Sequence, residues 1–336
     1  MSDASPSPLV QVDNLSVRFV SRESTVHAVN DISLRVDPGE VLCIIGESGS
    51  GKSVSMKALI RLLPERHAKI SGSIKIDGRD VLSLRSKELA SLRGGLASMV
   101  FQEPMTALDP VYTVGQQVAE TVKRHEGCTY EAGLRRALDL LELVKVPSAK
   151  RRLQAYPHEL SGGLRQRAMI AMALSCSPKL LMADEPTTAL DATVQVQVLI
   201  LLRKLQRELG MGVMFVTHDL GVAAEVADRV AVMYAGRIVE TGSVSDVLGN
   251  PQHPYTQGML ASTVHGNMRG QDIEAIPGSP PDLRVLPSGC SFAPRCGHVQ
   301  SACIEALPPA VSVGAGRMTR CIRVSPENLS EPVAVA

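Results

Sequence analysis

The chain has 336 residues, 44% of them hydrophobic, which is ample material for a buried core and excludes a disordered protein. Its 35 Lys and Arg nearly cancel 34 Asp and Glu, which excludes a global field that would draw it to nucleic acid or to an anionic membrane surface; any anion it binds must be held by local geometry. The opening "MSDASPSPLVQVDNL" has no basic stretch leading into an apolar one, and no apolar run approaches the roughly 20 residues of a spanning helix, so the expectation is a soluble, cytoplasmic chain.

Between residues 9 and 45 the apolar runs "LVQVDNLSVRFV", "DISLRV" and "VLCIIG" predict strands separated by polar turns, and "SGSIKIDGRDV" predicts a strand pair about a Gly-containing turn. From about Leu82 to Ser175 the pattern is helical, with leucines three and four apart in "YEAGLRRALDLLELVKV". Then come "KLLMAD" as a strand, "TVQVQVLILLRKLQREL" as a helix, "GVMFVTHD" as a strand running into a loop, and "DLGVAAEVADRV" as a helix. This alternation predicts an α/β fold, a parallel sheet with crossover helices. "RVAVMYAGRIVETG" reads as a hairpin about Ala235 and Gly236. Beyond Asn250 the composition shifts to Pro, Gly, Ser and Cys, and a domain boundary is expected near residue 250.

"GESGSGKS", Gly46 to Ser53, follows a predicted strand and precedes a predicted helix, the context in which G-x-x-x-x-G-K-[ST] cradles phosphates. Gly46, Gly49 and Gly51 let the loop curl, so that the backbone N–H groups through Glu47, Ser48 and Ser50 converge on an anion at the positive end of the helix. Lys52 would reach the β- and γ-phosphates of ATP, and Ser53 would ligate Mg2+. "LLMADEP" ends an apolar strand on two acids. Asp184 can complete the Mg2+ shell, and Glu185 can orient and deprotonate an attacking water.

"LSGGLRQR", Leu160 to Arg167, adds a second anion site: Ser161 can cap the following helix while Gly162 and Gly163 expose backbone amides. With these residues the chain resembles the ABC-type ATPases over residues 9–250, with the signature running from Ser161 through Gln166. The resemblance implies a P-loop, RecA-like parallel-sheet core, an N-terminal antiparallel β subdomain and a helical subdomain at about 103–176. It also implies that two such domains pair head to tail, each ATP lying between one phosphate loop and the other subunit's signature. By the same resemblance Gln102 in "MVFQEP" senses Mg2+ and the γ-phosphate, Asp191 in "TTALDA" contacts the opposite subunit, and His218 in "FVTHDL" contacts the γ-phosphate. Phe19 in "LSVRFVSR" fits the adenine-stacking aromatic by position, and equally fits a core residue.

"FQEPMTALDP", "ADEPTTALD", "HPYTQGMLAS" and "IPGSPPDLRVLPSGCSFAPRC" are most similar to the ATP-binding subunits of dipeptide and oligopeptide importers, whose C-terminal extension would here span residues 251–336. Cys290, Cys296, Cys303 and Cys321 crowd that tail, at intervals that fit a structural zinc site poorly. Some importers that the chain resembles hold a [4Fe–4S] cluster in such a tail, which makes that the expected ligand; the alternative is a small metal-free fold in which Pro294 and Arg295 merely shape a turn. The implied partners are two membrane-spanning permease subunits, a second ATPase subunit and a periplasmic or extracellular solute-binding protein, with this chain peripheral at the cytoplasmic face of the membrane. Import of a nickel chelate or another small solute, or a soluble ABC ATPase outside transport, are the alternatives.

Overall fold

A computed structural model of the chain describes residues 7–188, 190–262 and 275–324. Strands β1 (Val10–Val20) and β2 (Thr25–Val36) pair antiparallel, with Val10, Val12, Leu15 and Val17 of β1 buried. The period-two alternation slips at Asn14, whose φ of +51° lies at the irregularity between Val12 and Leu15. β3 (Val41–Ile45) is buried on both faces and leads through the phosphate loop into helix α1 (Lys52–Leu59). β4 (Ala68–Ile76) and β5 (Arg79–Asp80) close a tight hairpin through Asp77 and Gly78, both at positive φ, and complete a four-stranded sheet in the order β2-β1-β4-β5.

The expected helical stretch contains α2 (Ser86–Ser91), α3 (Pro104–Ala107), α4 (Val114–Glu126), α5 (Tyr130–Leu143), α6 (Ala149–Arg152) and α7 (Gly162–Ala173). It also holds a strand the sequence reading lacks, β6 (Ala97–Val100). The next elements are β7 (Leu180–Asp184), α8 (Ala192–Leu209), β8 (Gly212–Thr217), α9 (Leu220–Val226), β9 (Arg229–Tyr234) and β10 (Arg237–Ser243), with the hairpin turning at Ala235 and Gly236, both at positive φ. The last elements are α10 (Val244–Gly249), α11 (Pro254–Ala261), α12 (Ser301–Glu305), β11 (Val311–Gly314) and β12 (Arg317–Thr319).

The eight-stranded sheet runs β11-β12-β10-β9-β3-β8-β7-β6. Its five strands from β9 to β6 are parallel, and β10, β12 and β11 extend it antiparallel. Alternation along β3 divides the interior: Val41, Cys43 and Ile45 face a core shared with α4, α5, α7 and α8, while Leu42 and Ile44 face a core shared with the four-stranded sheet. The tail is stitched to the sheet edge by a buried carboxylate. Glu240, fully buried on β10, accepts N–H bonds from Gln252 (2.8 Å) and His253 (3.0 Å) and pairs with Arg317 on β12 (3.3 Å). Among the described residues no helix is long and apolar enough to cross a membrane.

Candidate active site

The chain leaves β3 at Gly46, where φ is +154° and a Cβ would sit 2.1 Å from the Met233 carbonyl oxygen of β9, so only glycine fits. The loop then closes on α1. Lys52, 4% exposed, donates from Nζ to the carbonyls of Gly46 (2.7 Å) and Glu47 (2.9 Å). Burial holds its ammonium below the usual lysine range, with Glu185, Asp184 and Glu47 pulling the other way. Ser53 Oγ donates to Asp184 Oδ1 at 2.6 Å, and Lys57 Nζ lies 4.0 Å from Oδ2. Asp184, 3% exposed, is pushed above the usual carboxylate range by burial, against the opposing Ser53 bond and Lys57 charge. A desolvated carboxylate joined to a hydroxyl is a hard-oxygen pair short of positive charge.

Glu185 follows at a φ of +45°, a left-handed backbone that is strained for a residue with a side chain. Three groups reach its Oε2: Gln102 Nε2 (3.3 Å), Thr188 Oγ1 (3.0 Å) and His218 Nδ1 (3.3 Å). Gln102 therefore meets Glu185 rather than the Ser53–Asp184 pair. A cleft of about 450 Å³ is lined by residues 48–54 of the loop and the start of α1 and by Ala28, Gln102, Glu185 and His218, so five separate stretches of the sequence converge on one space. Thr188 was missed in the sequence, where nothing separates it from its neighbour Thr187.

The signature lies elsewhere. Ser161 occupies the N-cap position of α7 but makes no side-chain cap bond, which corrects the capping expectation. Ser161 and Gly162 are exposed and do not line the cleft of their own chain. A Cβ on Gly163 would come 2.6 Å from Val194 Cγ1 of α8, so the glycine permits close packing. Asp191 caps α8, its Oδ1 accepting from the Val194 N–H at 3.0 Å, and Val194 in turn packs on Gly163 of the signature. Gln166 is 1% exposed and faces the interior. Phe19 packs against the core of the two sheets and is absent from the lining of the cleft.

Arg295 does more than shape a turn: it is 8% exposed and forms a two-point ion pair with Glu47 of the phosphate loop. The four cysteines do come together, lining one cavity with His253 and Phe292, and the Cys290 N–H donates to the Cys303 carbonyl at 2.7 Å. That cavity, about 20 Å³, has room for about one water and none for an iron–sulfur cluster as the thiols stand. Burial pushes the Cys290 and Cys321 thiols up, toward the protonated form. Among the described residues no group of three or more His, Cys, Asp or Glu side chains is arranged to hold a metal ion.

Residues 29–188 match the model of the ABC transporter family, and residues 239–303 match that of the oligopeptide/dipeptide transporter C-terminal region. A putative peptide import ATP-binding protein of Brucella melitensis is 49% identical over 331 residues, which cover 95% of this chain and 98% of that protein. The oligopeptide transport ATP-binding protein OppD of Salmonella typhimurium is 46% identical over 315 residues, covering 94% and 93%. The solved dimeric post-hydrolysis state of the ATP-binding cassette MJ0796, bound to ADP and Pi, matches with a TM-score of 0.63 at 30% identity, over 70% of this chain and 98% of that one. The chain therefore belongs to the ABC transporter ATP-binding family, in the group that carries the oligopeptide/dipeptide transporter C-terminal region.

Proposed function

We propose that this chain is the ATP-hydrolysing subunit that energises import of di- and oligopeptides, acting at the cytoplasmic face of the membrane through separate membrane-spanning subunits. The observation that carries the ATPase reading is the meeting of Glu185, Gln102 and His218 at the mouth of the phosphate-loop cleft. The peptide cargo rests on the likeness of residues 239–303 and on the relatives named for peptide import. Residues 9–250 serve as the ATPase unit, with the helical subdomain at about 103–176, and residues 251–336 as the importer-type extension.

In this reading the loop amides and Lys52 take the β- and γ-phosphates, Lys52 exchanging the carbonyls of Gly46 and Glu47 for phosphate oxygens. Ser53 and Asp184 would hold Mg2+, while Gln102 stands at Glu185. Bound there, the ion supplies charge neutralisation for the phosphates, which the desolvated Asp184 carboxylate suits. Glu185 orients a water in line with the γ-phosphate and takes its proton, and His218, Gln102 and Thr188 hold its carboxylate in place. Ser161 and Gly163 act on the nucleotide of a partner subunit, because their exposed helix end stands apart from the cleft of this chain. Met105, Val111 and Tyr112, exposed apolar residues between Gln102 and α4, offer a docking face to a permease.

An iron–sulfur cluster has no part in this mechanism; a brown chromophore in protein purified without oxygen, lost in Cys296→Ser, would show that the four thiols open to take one. The test of the function is a pull-down from host membranes with ATP present. Two multi-spanning proteins, a second ATPase and a genetically linked solute-binding protein are the expected partners, whereas ribosomal or DNA-bound partners would refute the transport role.

A further inference from the structure

The phosphate loop contains one acid, Glu47, in a segment whose chemistry is to attract polyphosphate. A free carboxylate there would oppose binding. In the structure Glu47 does not line the cleft, and each of its polar groups has a fixed partner. Its N–H donates to the Tyr255 hydroxyl at 2.8 Å, its carbonyl accepts from Lys52 at 2.9 Å, and its carboxylate accepts from Arg295 at 2.7 and 3.0 Å. Arg295 stands 248 residues further along the chain, between Cys290 and Cys296.

Arg295 is held in a built socket. Its side chain is 5% exposed, its Nε donates to the Pro277 carbonyl at 2.8 Å, and one terminal nitrogen donates to the Tyr234 hydroxyl at 3.3 Å. The guanidinium lies 5.8 Å from the Tyr234 ring centroid and 6.0 Å from that of Phe292, and Tyr255, fully buried, packs against both rings. A guanidinium fixed by a carbonyl, a hydroxyl and two rings is pre-oriented for two-point contact with a carboxylate.

We propose that Arg295 and Tyr255 are positioning residues of the ATP site: from the C-terminal extension they turn the Glu47 carboxylate away from the phosphates, cancel its charge and fix the backbone of the loop. This rests on the reading of residues 46–53 as the ATP phosphate site and extends that site into the tail. Without Arg295 the carboxylate is released beside the nucleotide, so ATP binding weakens through repulsion. A tail that merely docks through this ion pair would weaken ATP binding in Glu47→Gln as much as in Arg295→Ala, because either substitution breaks the same contact.

The full-length chain is assayed for its Kd toward a non-hydrolysable ATP analogue, and for KM and kcat with ATP. Arg295→Ala is expected to raise Kd and KM roughly ten- to thirtyfold, the scale of one like charge near a polyphosphate at intermediate dielectric, with a smaller change in kcat. Glu47→Gln alone is expected to bind the analogue within about twofold of the wild type, and Arg295→Ala in that background to cost less than about twofold more; loss of tail packing would instead weaken Glu47→Gln as well. Arg295→Lys keeps the charge without the two-point contact and serves if Arg295→Ala does not fold; it is expected to lose less affinity than Ala, and the loss is again erased by Glu47→Gln. Unchanged Kd in the folded Arg295 variants, or equal losses with Glu and Gln at position 47, would overturn the proposal. A wild-type chain that binds no analogue, or a Lys52→Ala chain that binds it as the wild type does, would instead overturn the underlying assignment of the phosphate site.

Discussion

Acid should loosen the tail through His253. Its ring is 1% exposed, beside Phe292 at a centroid separation of 6.0 Å, and its Nδ1 accepts the Tyr255 N–H at 3.1 Å. Burial lowers its pKa from 6.5 to about 4. Between those values the unfolded chain binds a proton that the folded chain refuses, so stability falls as the pH falls through the window. The full gap is worth about 3 kcal/mol, of which about 2 kcal/mol is lost on going from pH 7 to pH 5. His253→Asn isolates this effect, because an amide oxygen can replace Nδ1 as acceptor at the start of α11 without titrating. Urea unfolding followed by tyrosine emission, which senses Tyr234 and Tyr255, is the assay at the two pH values. The variant should lose about 2 kcal/mol less than the wild type over that interval, whatever its stability at pH 7. Equal losses in the two proteins, or a His253 proton resonance titrating near 6.5, would refute the reasoning.

Glu185→Gln should reduce ATP hydrolysis at least a hundredfold, roughly the contribution of a general base, and leave an ATP-bound dimer visible by size-exclusion chromatography; rapid turnover would remove Glu185 from that role. Lys52→Ala leaves the Gly46 and Glu47 carbonyls without their donor and the phosphates without a cation, so Kd for ATP should rise about tenfold or more by equilibrium titration. Gly163→Val drives side-chain atoms into Val194, 2.6 Å from the first of them, and should abolish hydrolysis while ATP affinity of the monomer changes less than about twofold. Loss of monomer affinity in that variant would count against a signature that works on the partner subunit.

What could be read from the sequence was what is local. The phosphate loop, the β9–β10 turn and the acids ending β7 announce themselves within a few residues, because turn chemistry and strand patterning act over that range. β6 did not, since four residues, "ASMV", carry no period, and only pairing with β7 makes them a strand. The need for glycine at Gly46 was legible as loop freedom, yet its sharper cause is the Met233 carbonyl of a strand nearly two hundred residues away. Thr188 and Arg295 were missed for the same reason: a side chain's partner across the fold leaves no mark beside it in the sequence. The one available clue to Arg295 was chemical, an acid within an anion-binding loop that had to be neutralised from somewhere.

Among the contacts that join the extension to the ATPase unit, three border the phosphate loop. β12 pairs with β10, which pairs with β9, the strand whose Met233 carbonyl presses on Gly46. Tyr255 and Arg295 hold Glu47, and the Leu283 carbonyl accepts the His27 N–H of β2, next to Ala28 in the cleft lining. A chain ending at Asn250 would lose all three, exposing Tyr234 and leaving Glu240 buried without Arg317. It should therefore bind ATP more weakly than Arg295→Ala does, and Glu47→Gln should restore only the part due to charge, leaving the part due to lost backbone support. A truncated chain with the wild-type KM for ATP would show that the loop keeps its shape without the tail, and that these three joints serve only to carry the extension.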